Sequence, residues 1–398
     1  MQLAITFGFN QIISHGFGLF LFAALVPLMQ ADIAISHWYL ATIGAATQLA
    51  YLGGAMLLGG LGHRFSSARL VLCCMALTSL LLLAMAWVTS PLAILVILIL
   101  MAANAAISWG GIVELVSCYG RPQYRATTLS VAASGTAWGY GISGAIILVV
   151  VPLMGWQGGW IVAAVLGLGT FVATAMVLKR LSMANTQTTT DMLPAMGMKQ
   201  LFRIVLRERI AFLSCLITFL VGFATMPFST WLNTYLTELA LPPALGGYTW
   251  SIIGLSGMVA GFLIGKLADR KGAGAALLFI SIGFMLGTIA FILAPAQFVL
   301  FAGFGYGLMY FPIWGVVAGW VSKAYGSKAT MQINGIGMVT FGLGGASGNM
   351  LAGVLQQATG SLGDLYALIA FTSVLLTLLA VYIYRIERQP DEPFVGAV

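Results

Sequence analysis

Twelve runs of roughly 20 or more apolar residues follow one another along this chain, and that succession leaves few folds open. The runs cover 3–29, 38–61, 70–88, 92–118, 128–153, 157–178, 210–236, 247–266, 275–294, 297–322, 331–355 and 364–384. The hydrocarbon core of a bilayer is about 30 Å thick, which a helix of about 20 residues crosses. Backbone groups inside lipid have no water to bond, so each run has to close its own hydrogen bonds as a helix. Only 7% of the 398 residues are charged and 60% are hydrophobic, whereas a soluble domain carries about a quarter charged residues. A mean hydropathy of +1.01 also excludes disorder, which goes with low hydrophobicity. The fold class read from these runs is an all-α integral membrane protein with twelve transmembrane helices.

The longest polar interruption, 179–209, divides the runs six and six. The expected organisation is a first group of six spans over 1–178, a central loop over 179–209, a second group over 210–386 and a tail over 387–398. Within the loop, 185–191 reads as a flexible linker, and the amphipathic stretch 198–209 is expected to lie along the membrane surface. Loops that stay cytoplasmic are enriched in Lys and Arg. With both termini placed inside, all 17 basic residues fall on the cytoplasmic side, while the outer loops keep the acids Asp32, Glu238 and Asp364. The net charge of +7 therefore reads as topology. A nucleic-acid partner would need basic residues clustered on a solvated domain, and here they sit singly in short turns. Cys73, Cys74, Cys118 and Cys215 lie in or at the ends of apolar runs without metal-ligand spacing, which points to reduced, buried thiols. The first run is too long for the core of a signal peptide and reads as the first span.

A short basic turn occurs twice. Gly265-Lys266-Leu267-Ala268-Asp269-Arg270-Lys271-Gly272-Ala273-Gly274 follows span 8, and Gly59-Gly60-Leu61-Gly62-His63-Arg64-Phe65-Ser66-Ser67-Ala68-Arg69 follows span 2. They align without a gap, Gly59 on Gly265 and Arg64 on Arg270, with His63 standing where the second copy has Asp269. The stretch 116–120 after span 4 is echoed by 321–326 after span 10. Spans 5 and 11, which follow, are studded with glycine: Gly135, Gly139, Gly141 and Gly144 in one, Gly335, Gly337, Gly342, Gly344, Gly345 and Gly348 in the other. Such spacing lets helix backbones approach closely in lipid, as packing alone or as an interface that rocks.

These residues resemble the major facilitator superfamily. The turn 265–274 looks like that family's loop signature between spans 8 and 9, and 59–69 looks like its degenerate partner between spans 2 and 3. The resemblance implies two six-helix bundles related by pseudo-two-fold symmetry about a central cavity that opens alternately to each side. It also implies that Gly265, Asp269 and Arg270, with Arg64 and His63 in the weaker copy, form a cytoplasmic gate; the bland reading is a solvated turn. Gly16-Phe17-Gly18, Pro27-Leu28-Met29 and Tyr51-Leu52-Gly53-Gly54 are similar to a bacterial branch, the YbfB-like transporters, although Leu19 replaces that branch's arginine. Asn104 stands where the family's span 4 usually carries an arginine, and Tyr140 replaces the proline of the exporter motif.

Ionisable residues at membrane depth are costly and raise a functional hypothesis. His15 lies twelve residues into span 1, about 18 Å along a helix, with Gln11 one turn earlier as an expected polar neighbour. Its side-chain type titrates near pH 6.5, which suits proton coupling; a satisfied packing histidine is the alternative. Glu114, late in span 4, reads either as a structural ion pair with Arg121 or Arg125, or as a proton carrier. Gln48, Asn104, Trp138, Tyr140, Tyr306, Tyr310 and Trp314, with His15, form the candidate substrate cavity. Tyr306, Tyr310 and Trp314 recur every fourth residue beside Pro312, which can kink the helix. Trp38, Trp156, Trp160, Trp231 and Trp250 fall near span ends and read as an interfacial belt.

No Lys or Arg lies in the interior of any span, which disfavours phosphate esters and dicarboxylates as substrates because such ligands are usually held by a bidentate Arg. Neutral, amphipathic or cationic organic solutes remain, with a monocarboxylate open to a protonated His15. Catalytic and nucleotide-binding motifs are missing, and neither a cofactor nor a metal is expected. The expected function is a monomeric secondary transporter of the bacterial inner membrane that moves a small organic solute with protons. A non-transporting sensor or scaffold on the same fold and a proton-driven exporter are the alternatives.

Overall fold

The computed structural model describes residues 2–61, 64–119, 125–184, 198–325 and 327–388, and these are helical almost throughout. The helices are α1 (Gln2–Gln30), α2 (His37–Leu61), α3 (Ser67–Met85), α4 (Pro91–Tyr119), α5 (125–154), α6 (156–184), α7 (Met198–Arg207), α8 (Arg209–Glu238), α9 (Pro243–Lys271), α10 (Ala273–Leu293), α11 (Pro295–Ala324), α12 (Ser327–Thr359) and α13 (Gly363–Arg388). Among the described residues, eleven continuous segments are long and apolar enough to cross a membrane. One of them, Val131–Arg180, runs for 50 residues, which at 1.5 Å each is about 75 Å, or two crossings. Gly155 divides it: its φ of 68° is open to glycine and strained for any other residue type. Twelve spans result, with α7 as an additional short helix.

The interruptions follow from local chemistry. Gly272 (φ 93°) turns the chain between α9 and α10, and Gly360 (φ 75°) turns it between α12 and α13. Between α8 and α9 the left-handed position falls on Ala240 (φ 55°). There the Leu241 amide donates to the Leu236 carbonyl and the Ala240 amide to Thr237, the paired bonds of a Schellman motif. Pro242 then keeps α8 from continuing, and Pro243 opens α9 at its first position, where a missing N–H is not needed. In α11 the helix stops at Tyr310 and restarts at Ile313, the break expected of Pro312, which has no N–H to offer. The first span departs from expectation, since Ile12–Leu21 is wound as a π-helix, and Ile146–Val150 of α5 is wound likewise.

By contacts the chain forms two compact units, 1–192 with 229–255, and 193–228 with 256–398. In the first, Gly135 and Gly139 of α5 lie on Gly8, Ile12 and Gly16 of α1. A Cβ added to Gly139 would come within 2.4 Å of the Gly16 Cα. The opposite face of α5 meets α9 in the same manner, Gly144 against Gly247 and Ser251, and Gly141 against Gly254. In the second unit Gly344 and Gly348 of α12 lie on the backbone of Phe219 and Phe223 of α8, and Gly222 of α8 lies on the Phe341 carbonyl. The glycine-studded spans 5 and 11 thus pack in the same manner, α5 against α1 and α12 against α8.

Four of the tryptophans expected in an interfacial belt are buried instead. Trp156, Trp160, Trp231 and Trp250 lie inside the protein, and of the five only Trp38 is exposed. Bonded partners draw two of them inward: the Trp156 indole donates to Asp32 at 2.7 Å, and Trp250 donates to the Asn233 side chain at 3.2 Å. Asn233 in turn donates to the Ala24 carbonyl at 2.5 Å, tying α8 to α1 next to the Pro27 turn. All four cysteines are free; Cys74 and Cys215 are buried, whereas Cys73 and Cys118 are exposed rather than buried.

Candidate functional site

In the first unit Ser14 and Tyr51 meet at His15. The π-helical stretch widens the turn here, and glycines at 16 and 18 strip side chains from its flanks. The hydroxyl of Ser14 donates to the Asn10 carbonyl at 2.8 Å, and its oxygen is 3.0 Å from His15 Nδ1. With the single Ser14 proton on the Asn10 carbonyl, Ser14 accepts from the ring and Nδ1 carries the hydrogen. His15 Nε2 is then an acceptor in the neutral ring, facing the Tyr51 hydroxyl of α2 at 3.2 Å. Adding a proton converts Nε2 into a donor and obliges the Tyr51 hydroxyl to turn round. The two rings meet edge to face with centroids 5.7 Å apart.

The other candidates of this unit separate into distinct places. Gln48 is half-buried one turn before Tyr51 on α2. Gln11 is not the partner of His15: its Cβ packs at Gly135, and its buried Nε2 has no bond among the described residues. Asn104 is turned toward α3, with Nδ2 3.4 Å from the Cys74 carbonyl and 3.5 Å from the Thr78 hydroxyl, so it acts between helices. Tyr140 is fully buried between Phe20, at 4.5 Å, and Trp250, at 4.8 Å, while Trp138 is 51% exposed. Glu114 is exposed; Arg121 and the side chain of Arg125 lie outside the described residues. Asn233 and Tyr51 were not singled out by spacing, because each acquires its role from a partner far away in sequence.

In the second unit an aromatic ladder crosses the helices. Phe228 of α8 stacks on Tyr306 at 5.1 Å, and Tyr306 on Tyr310 at 5.3 Å, with interplanar angles of 25° and 23°. The periodicity of 306, 310 and 314 is broken after its second member by the gap at Phe311 and Pro312. Phe341 of α12 bridges it, 6.3 Å from Tyr310 and 4.9 Å from Trp314. Tyr306 is fully enclosed, whereas Trp314 is half-buried, beside exposed Gly315 and Gly319, where an added Cβ would meet nothing within 4 Å.

The basic turn at 265–274 is held by a residue that the sequence signature did not include. Asp269 and Arg270 are exposed, and a Cβ at Gly265 would meet nothing within 4 Å. The carboxylate that binds the turn is Glu387 of α13, whose Oε2 accepts from the Gly274 amide at 2.7 Å. An acid there complements the positive end of α10. Of the weaker copy, Arg64 is exposed and His63 lies outside the described residues.

Compared with solved structures, the chain is similar over nearly its whole length to membrane transporters. The D-xylose–proton symporter matches with a TM-score of 0.76 at 10% identity, covering 95% of this chain and 96% of that one. The nucleoside transporter NupG matches with a TM-score of 0.71 at 17% identity, covering 96% and 98%. A bacterial homologue of the human lysosomal transporter Spinster, in an inward-facing and unoccupied conformation, matches at 0.68 and 13%, covering 97% and 96%. At such identities the likeness shows the fold alone. By sequence, no curated protein matches the chain. The profile of the Major Facilitator Superfamily, however, matches residues 9–319, and with twelve spans, glycine crossings at matching places and the paired basic turns the chain belongs to the Major Facilitator Superfamily.

Proposed function

We propose that this chain is a secondary transporter of the bacterial inner membrane, moving a small organic solute by alternating access with protons as the driving ion. The observation that carries the reading is the Ser14–His15–Tyr51 relay in the π-helical turn of the first span. His15 is the only histidine twelve or more residues from a span end, and charging it reverses the bond to Tyr51, so protonation and the packing of α1 on α2 are linked. Gln48 extends this polar strip, and the exposed edge of Trp314 with Tyr310 offers an aromatic surface. The absence of Lys and Arg from span interiors favours neutral, amphipathic or cationic solutes over phosphates and dicarboxylates.

The charge distribution supports cytoplasmic termini, with 179–209 as the central loop between six spans and six, in a protein that works as a monomer. Exposed Asp269 and Arg270 then stand at the cytoplasmic face as gate residues, and exposed Glu114 remains a second proton carrier. Residues 16–18, 27–29 and 51–54 favour the YbfB-like branch.

The test is counterflow and pH-driven uptake in proteoliposomes, after a thermal-shift screen of matched anions, cations and neutral compounds has supplied a ligand. His15→Gln should keep counterflow and lose the response to an imposed pH gradient, because glutamine retains a polar contact to Tyr51 but carries no proton. Asp269→Asn should slow both. Unchanged pH-driven uptake in His15→Gln would sink the relay, and an anion as the best ligand would sink the substrate class.

A further inference from the structure

The short helix α7 presents three different faces. Leu201 and Val205 are buried, and the helix packs on α12 of its own unit. At 100° per residue the next sector carries Phe202 and Leu206, which are 51% and 71% exposed. The sector beyond carries Lys199, Arg203 and Arg207, all exposed, and no acid occurs between Met198 and Arg207. Large exposed apolar side chains next to a wholly basic stripe are unusual for a helix that faces water alone. The position of the helix says what lies against it. Arg207 is two residues before the membrane-spanning α8 begins at Arg209, a separation of roughly 3 Å at helical rise. Hydrogen bonds hold the junction, Glu208 N–H to the Ile204 carbonyl at 2.8 Å and Phe212 N–H to the Glu208 carbonyl at 2.9 Å. At the end of α11, burial and the hydrogen bond to the Glu208 carboxylate push the Tyr325 phenol above its usual range.

We propose that α7 is a docking surface for anionic phospholipid: Phe202 and Leu206 enter the acyl boundary while Lys199, Arg203 and Arg207 bind headgroup phosphates beside them. The arrangement is that of an interfacial helix, apolar on the lipid side and cationic at headgroup level. Because its remaining face is built onto α12 and Glu208, the residue that follows it, is bonded to Tyr325, lipid bound here bears directly on the packing of the second unit. A free phosphate would satisfy the basic stripe but leaves Phe202 and Leu206 in water, which is why a lipid is the occupant.

The test uses the full chain with Cys73 and Cys118 changed to serine and an environment-sensitive fluorophore on Phe202→Cys or, as a control, on exposed Gln200→Cys. The protein is reconstituted in phosphatidylcholine vesicles containing increasing phosphatidylglycerol. A label at 202 should be quenched by a lipid nitroxide and shielded from iodide, increasingly so with phosphatidylglycerol, whereas a label at 200 stays open to iodide. Replacing Lys199, Arg203 and Arg207 by glutamine should weaken the dependence on anionic lipid about fivefold per charge, equivalent to about 1 kcal/mol each. Rising salt should weaken it in the same direction, and inorganic phosphate should not reproduce the shielding. If the label at 202 is open to iodide in all vesicles, or the triple variant responds to phosphatidylglycerol as the parent does, the proposal is overturned. Shielding produced by inorganic phosphate without phosphatidylglycerol would overturn it too.

Discussion

The crossing of α5 on α1 admits a quantitative test, because two glycines meet there backbone to backbone. A Cβ on Gly139 would stand 2.4 Å from the Gly16 Cα and 3.2 Å from the Ile12 carbonyl oxygen. Carbon atoms attract best at about 3.5–4.0 Å, so Gly139→Ala has to push the two helices apart by about 1 Å. Neither obstacle is a side chain that could swing away. Overpacking of this kind costs about 1–3 kcal/mol, while alanine recovers at most about 1 kcal/mol of helix propensity. With the full propensity gain the net expectation is a loss of up to about 2 kcal/mol. Gly169→Ala is the control, since a Cβ there meets nothing within 4 Å and only the propensity gain applies. Thermal unfolding of the purified protein can be followed by a thiol-reactive dye, with buried Cys74 and Cys215 reporting on opening and exposed Cys73 and Cys118 setting the baseline. The two variants should move the midpoint in opposite directions. Adding Gly16→Ala to Gly139→Ala should cost less than the sum of the singles, because the first methyl already parts the helices. A midpoint for Gly139→Ala equal to that of Gly169→Ala would show that this crossing is loose and that the close-packing argument is wrong.

Two further substitutions follow from the turns. Glu387→Ala removes the acid that accepts from the Gly274 amide and should cost about 1 kcal/mol, as the loss of a helix N-terminal partner does; proteolysis between 265 and 274 should quicken, and an unchanged rate would remove Glu387 from the turn's support. Ala240→Gly relieves a left-handed alanine (φ 55°) and should raise the unfolding midpoint by the equivalent of about 0.5–1 kcal/mol, the glycine's gain at that φ less its greater freedom when unfolded. A lowered midpoint would mean that the turn is not strained.

How far the site was legible depended on the sequence distance over which each side chain finds its partner. Gly144 and Gly348 were visible as repeated small residues, and they lie on neighbouring backbones in matching places. The Pro312 break was equally legible, since a missing N–H is a property of one residue. His15 was visible because a titratable ring in an apolar run is rare. Its partner was misread: helical spacing pointed to Gln11, but the π-helical winding of 12–21 and the proximity of α2 bring in Tyr51 instead. Trp250 and Trp156 read as interfacial for the same reason, as their polar partners Asn233 and Asp32 are 17 and 124 residues away.

The sequence by itself determined that the chain spans a membrane as helices, how many times it does so, and roughly where the helices lie. Those outcomes depend on hydropathy summed over about 20 residues and on the φ preferences of single glycines and prolines, both of which are local. Only the tertiary structure decided that Asn104 serves α3, that Glu387 rather than Asp269 bonds the basic turn, and that Tyr306 is enclosed while Trp314 stays open. In lipid every helix has an apolar surface on all sides, so polarity along the chain does not say which face meets which neighbour. Small-residue crossings and buried polar bonds choose among those faces, and they take effect only once the helices are side by side.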